Sequence, residues 1–269
     1  MALSVPTSVP PTDPALSRRP YRPALLPRAI FVIELRRLLR NRRSVVLTLV
    51  MPSLLFLLFG SGSGYRTQAA GHGNVTAYVM VGLAVYAAMV ATTSTGAGVS
   101  LDRAAGWSRQ LRLSPLLPLS YVALKAAVAM VAGAAASGLV LVVGGLRGAH
   151  LSTGRWLACG LLAWACSSVF AALGLAVGYL LPGESAMQLL APLLGLMSFL
   201  GGLFVPVDTF GPTFATAARW TPTWGAGELA RWPLVGSAHP WAAVANIATW
   251  TCVFLGVAAW RFRRDTRRV

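Results

Sequence analysis

Charge is what this chain has least of. Only 11% of its 269 residues are charged, and seven of them are acidic, while 56% are hydrophobic and the mean hydropathy is +0.65. So little polar surface cannot coat a soluble globule of this length, and the composition reads as an integral membrane protein. The interiors of the long apolar runs hold no Asp, Glu, Lys, Arg or His, with Lys125 and Glu184 near run ends. Proton-coupled carriers, ion pumps and intramembrane proteases place ionisable groups at depth, so their lack weighs against those classes. No HExxH or GxSxG occurs, and His72, His150 and His239 all lie between runs. No GxxxxGK[ST] phosphate loop occurs either, and no connecting segment is large enough for an ATPase domain, so energy from ATP would have to come through another polypeptide. Cys159, Cys166 and Cys252 sit in apolar runs and spell neither a disulfide framework nor a metal site.

Long apolar runs are what the chain does have. A helix needs about 20 apolar residues to cross the hydrocarbon core. Six segments qualify, close to Ser44–Gly60, Val75–Leu101, Leu119–Leu141, Trp156–Leu181, Ser185–Val205 and Trp241–Trp260. The expected fold is therefore an all-α membrane protein with six transmembrane helices. Residues 1–26, rich in proline, read as a disordered cytosolic tail, and residues 27–269 as one transmembrane domain.

The basic residues set the orientation. With a cytosolic N-terminus, eighteen of the 23 fall inside; Arg66, Arg147, Arg155, Arg219 and Arg231 fall outside. The positive-inside rule thus places both termini in the cytosol. Topology and contact with anionic lipid account for the net charge of +16, so no nucleic-acid partner is expected.

Three connecting stretches carry more than a link requires. PRAIFVIELRRLLRNRR places Phe31, Leu35, Leu38 and Leu39 at helical spacing beside Glu34, Arg36, Arg37 and Arg40. Such a helix fits the membrane interface as an elbow before the first span, or serves only as a basic anchor. LDRAAGWSRQLRLSPLLPL, between runs two and three, mixes Asp102, Arg103, Arg109 and Arg112 with Trp107, Leu111 and Leu113, and Pro115 and Pro118 then stop it. It reads either as a short amphipathic helix able to pass force from a cytosolic partner or as a basic loop. Between runs five and six, Phe210, Phe214, Trp220, Trp224 and Trp232 alternate with prolines, which suits short helices in the outer leaflet. Within the runs the polar groups are mild: Tyr86, a cluster from Thr92 to Thr95, and Asn246. Gly174 and Gly178 form a GxxxG pair that permits close helix packing. Asn74-Val75-Thr76 matches a glycosylation acceptor.

IELRRLLRNRR, the six runs, Asp102-Arg103-Ala-Ala-Gly106-Trp107 followed by LRLSPL, and GGLFVPVDTF followed by RWTPTWGAGELAR occur in an order that resembles the membrane subunits of ATP-binding cassette exporters of the second type. That family includes bacterial drug, antibiotic and polysaccharide exporters. The resemblance covers nearly everything from Pro27 onward. It implies a bacterial plasma-membrane permease that is no enzyme itself and works as two copies, or with a paralogue. Two cytosolic ATPase subunits would supply ATP and Mg, and this chain would hold no cofactor or metal. The cargo implied is a lipophilic or amphipathic drug-like molecule or lipid. By the same resemblance Asp102, Arg103, Gly106, Trp107, Arg109 and Arg112 would form a coupling helix, with the elbow of Phe31, Glu34, Leu35, Arg36, Arg37 and Leu38 beside it. Spans one, two and five would line the pathway through Phe56, Tyr86, Thr92, Thr93, Met197 and Phe199. Asp102 stands where the family usually has the longer Glu. A secondary carrier or channel, or a membrane enzyme with outer-face histidines, are the other classes the residues leave open.

Overall fold

The computed structural model describes residues 28–60, 62, 64–106, 118–237 and 239–267. Helix α1 (Arg28–Arg40) is followed by a rod in which α2 (Arg42–Val45), a π-helical turn (Val46–Val50) and α3 (Met51–Phe59) run on without a gap. Pro52 explains the wide turn: its nitrogen has no hydrogen to donate and its ring crowds the carbonyl four residues back. The Ser53 hydroxyl donates to the Leu49 carbonyl (3.2 Å) and satisfies a backbone group next to the disturbance.

Two short antiparallel strands, Ala69–Ala70 and Gly73–Asn74, lead into α4 (Val75–Ala97). Asn74 caps that helix with its whole amide. Its Oδ1 accepts from the N–H groups of Ala77 and His150, both at 3.0 Å, and its Nδ2 donates to the carbonyls of Arg66 (3.2 Å) and Gly148 (2.8 Å). The glycosylation match is thus a buried structural cap with its nitrogen already engaged.

α4 continues past Gly98 into α5 (Val99–Ala104). Then come α6 (Pro118–Leu146), α7 (Thr153–Cys166), α8 (Ser168–Leu180), α9 (Glu184–Leu200), a 3₁₀ turn (Val207–Phe210), α10 (Pro212–Ala218), α11 (Pro222–Val235) and α12 (Pro240–Arg267). Among the described residues four stretches are long and apolar enough to cross a membrane: Val75–Ala104, Ser120–Leu146, Thr153–Leu180 and Pro240–Arg264. The third combines α7 and α8, which bend at Ser167, where the side-chain hydroxyl donates to the Trp164 carbonyl (2.6 Å).

The runs read as spans one and five form shorter helical pieces, Val46–Phe59 and Glu184–Leu200. The apolar run suggests that the fifth helix continues to Val205, yet it stops at Leu200. Gly202 takes φ +73, its N–H bonds the Phe199 carbonyl (3.1 Å), and the Leu203 N–H reaches back to Ser198 (3.0 Å). Those two bonds with a left-handed glycine are a Schellman stop, which hydrophobicity alone does not reveal.

α4 is the axis of the molecule. It is mostly buried, packed against α6 and α8 along its length and against α3, α7, α9 and α11 elsewhere. α12 is peripheral, with 11% of its apolar window buried against protein. The α4–α8 contact is close because small residues face each other. A Cβ on Gly174 would run into the Thr93 carbonyl, one on Gly178 would sit 3.0 Å from the Ala97 carbonyl, and one on Gly96 would sit 2.9 Å from the Ala171 carbonyl. GxxxG here is packing. Gly174→Val is therefore expected to destabilise the fold by about 1–3 kcal/mol, while Gly195→Ala, with open space around it, leaves it nearly unchanged; thermal unfolding of both variants in detergent checks this.

Candidate functional site

The sharpest concentration of charge lies at the α5 end of α4. Asp102, 5% exposed, is brought by α5 against α1 and α6. Its Oδ1 accepts from Arg37 Nη1 (2.7 Å), and its Oδ2 accepts from the Tyr121 hydroxyl (2.7 Å) and from Lys125 Nζ (2.6 Å). Lys125 also donates to Glu34 Oε2 (2.8 Å), and Glu34 lies 3.9 Å from Arg37. Two acids and two bases thus neutralise one another, with a phenol filling one remaining acceptor position, as burial of charge demands. Asp102 pushes the pKa of Arg37 above its ordinary value through this hydrogen bond and through its charge. The shorter acid makes three close contacts.

Local sequence explains the convergence. Phe31, Glu34, Leu35 and Leu38 recur at i, i+3, i+4 and i+7, and form the half-buried face of α1. Arg36 lies on the exposed side, and Arg37, also exposed, reaches Asp102 with its guanidinium. Tyr121 and Lys125 are one turn apart on α6 and so share a face. Sequence reasoning counted Lys125 only as an inner-side charge near a run end and passed over Tyr121. The signal was there: Lys125 is the single lysine, and Tyr121 stands four residues before it.

Arg103 turns the other way. Its Nη1 donates to the carbonyls of Gly178 (3.1 Å) and Tyr179 (2.8 Å), and its guanidinium lies 5.5 Å from the Tyr179 ring centroid. It thereby caps the C-terminal end of α8, where carbonyls lack helical partners and the dipole favours a cation. Ser100 donates to the Gly183 carbonyl (2.9 Å), tying α5 to the link before α9. Gly106 adopts φ +77 just after α5. Trp107, Arg109 and Arg112 lie outside the described residues, as does the 1–26 tail.

The six residues expected along a pathway are dispersed. Phe56 is buried against the core, and Tyr86 meets Phe204 edge-on at 5.1 Å. Thr92 donates to its own helix at Ala88 (2.8 Å) and toward the Ser167 carbonyl (3.3 Å), so it is held between α4 and α8 with buried Thr93. The Met197 carbonyl accepts from Thr223 (2.6 Å), and the exposed Phe199 ring lies 5.4 Å from Phe210. At the opposite end of α4 from Asp102 is a cavity of about 760 Å³, lined by Leu55, Phe59, Tyr78, Leu83, Phe204 and Val235 among others. It draws its walls from α3, α4, the chain after α9, and the end of α11.

α11 holds a side chain that the reading of this stretch as a connection overlooked. Arg231 is 6% exposed. It donates from Nη1 to the Gly202 carbonyl (2.9 Å) and from Nη2 to the Leu203 carbonyl (2.6 Å), and its guanidinium lies 4.2 Å from the Tyr78 ring centroid. The carbonyls released by the Schellman stop are thus satisfied by a buried cation.

A family model described as ABC-2 type transporter matches residues 28–234. A protein named "Putative transport permease YvfS" from Bacillus subtilis (strain 168) is 23% identical over 227 residues, covering 83% of this chain and 91% of that one.

The Asp102 cluster yields a measurable asymmetry. Lys125→Ala or Asp102→Ala leaves buried charge uncompensated and is expected to destabilise the protein by about 3–5 kcal/mol. The pair Asp102→Asn with Lys125→Met is expected to cost less than the sum of its single changes. A double-mutant cycle of unfolding free energies in a common detergent reads both effects.

Proposed function

The chain belongs to the ABC-2 type transporter family, and on that basis we propose that it is the transmembrane half of an ATP-driven exporter in a bacterial plasma membrane. Six crossings, with Val46–Phe59 and Glu184–Leu200 completing the set, leave both termini in the cytosol. α1 lies in the inner interface among anionic lipids. Two such chains, or one with a paralogue, enclose the route, and two cytosolic ATP-binding subunits dock beneath them with ATP and Mg. The cargo is a lipophilic or amphipathic molecule of drug or lipid type.

The observation that carries this reading is the cluster that joins the buried Asp102 to Arg37, Tyr121, Lys125 and Glu34. A force applied to the segment from Asp102 to Arg112 acts through it on α1 and α6, and through Arg103 on the end of α8. Closed packing transmits such a push as a rigid displacement. Along the route, Phe56 and Tyr86 lie on α3 and α4, which wall the cavity, and Met197 and Phe199 lie on α9, just before the wall segment that starts at Phe204. Thr92 and Thr93 would meet cargo only when α8 shifts away from α4. The apolar lining with sparse hydroxyls suits lipophilic cargo.

Arg103→Ala combined with Trp107→Ala is expected to lower transport per ATP hydrolysed by about tenfold. The measurement is lipophilic-dye export from proteoliposomes containing the chain and its copurified ATPase. Undiminished export by a well-folded double variant removes the coupling assignment, and full transport with no ATPase present removes the exporter itself.

A further inference from the structure

Among the described residues the cavity at the Asn74 end has no charged side chain in its lining, and its polar side chains are Tyr65 and Tyr78. Behind that lining, however, sits a charge. The Arg231 guanidinium lies against the Tyr78 ring at 4.2 Å. It is bonded to the carbonyl of Leu203, whose neighbour Phe204 is wall, and Val235, one turn further along α11, is wall as well. Gly82 on α4 makes the approach possible, since a Cβ there would overlap both Arg231 and the Leu203 carbonyl.

Among the described residues the hydrogen-bond partners of Arg231 are neutral carbonyls, and its Nε has none. The acid of α11, Glu228, keeps its own charge while accepting from the Ser237 hydroxyl (2.6 Å) and offsets part of the field from one turn away, but it is only half-buried and outside the cavity lining, so water screens it more than the buried Arg231. An ion held by dipoles keeps its full charge, and apolar surroundings screen that charge weakly. The N-terminus of the 23-residue α4 opens at the same cavity through Val75 and adds a positive partial charge. The carbonyl end of α9 opposes it, and that end is where Arg231 is anchored.

We propose that this cavity selects lipophilic anions over lipophilic cations, and that Arg231 determines this selection from behind the wall while it holds the wall in place. The occupant is a molecule with an apolar body and delocalised or terminal negative charge. The proposal rests on the exporter reading only in treating the cavity as part of the cargo route, and binding can be measured without an ATPase.

Tetraphenylborate and tetraphenylphosphonium supply the test, being nearly equal in size and opposite in charge. Binding of each is measured by equilibrium dialysis to the purified full chain in neutral detergent. Uptake by protein-free micelles, and uptake that an excess of the unlabelled ion does not displace, is subtracted to remove binding elsewhere. Tetraphenylborate is expected to bind about tenfold more tightly than tetraphenylphosphonium. Arg231→Lys should retain most of that preference, and Arg231→Gln should reduce it to within about threefold. Because Arg231→Gln also removes a bond that holds the wall, Val205→Asp offers a separate route: an acid on the wall with Arg231 intact should abolish or reverse the preference. Equal binding of the two ions by the native chain, or tighter binding of the cation, overturns the proposal. So does an anion preference that either Arg231→Gln or Val205→Asp leaves undiminished in folded protein. An anion preference without ATP-dependent transport by the assembled complex would leave this inference standing and remove the exporter reading.

Discussion

A carboxylate cannot be left alone inside a protein, and the arrangement around Asp102 follows from that constraint. Lys125 supplies the opposite charge from α6, but a buried lysine makes a second demand of the same kind, which Glu34 meets from α1. Arg37 then balances the two acids, and Tyr121 fills the remaining acceptor position. Each group depends on the next, so α1, α5 and α6 are fixed relative to one another more strictly than apolar contact would require. Hydrophobic packing at this end, where Phe254 and Phe262 of α12 join Val99, Leu175 and Tyr179, is adaptable by comparison.

Along the rest of α4 the controlling quantity is size. Alanine, glycine and threonine let α8 come so near that backbone meets backbone, and dispersion replaces the hydrophobic effect that lipid cannot supply. Two kinds of order therefore divide the molecule. Charge neutralisation fixes the end near Asp102, and steric fit fixes the middle.

Wherever an apolar run exceeds the bilayer, the sequence was a good guide: the spans built on α4, α6, α7 with α8, and α12 all lie where hydropathy places them. The GxxxG pair was legible too, because its chemistry is local. Features that depend on distant partners were hidden. Lys125 looked like one more inner-side charge near a run end and Arg231 like an ordinary loop charge, since a linear charge count cannot show that Asp102 will come to Lys125 or that free carbonyls will come to Arg231. The end of α9 was missed for another reason. Gly201 and Gly202 sit inside an apolar run, and hydropathy averages over the left-handed residue that stops the helix. α1 is helical where the spacing places a helix, but Leu39, grouped by sequence with Phe31, Leu35 and Leu38, is exposed, and Glu34, its one acid, lies on the half-buried face.

That stop has a consequence for how the protein comes apart. Backbone leaving a helix within an apolar environment has nowhere to place its carbonyls, and those of Gly202 and Leu203 depend on a side chain about 30 residues further along the chain. α9 and α11 therefore cannot melt independently: losing either strands polar groups belonging to the other. In unfolding the two should behave as one cooperative block, with amide protection in Leu203 falling in step with that of α11 instead of fraying as a helix end normally does.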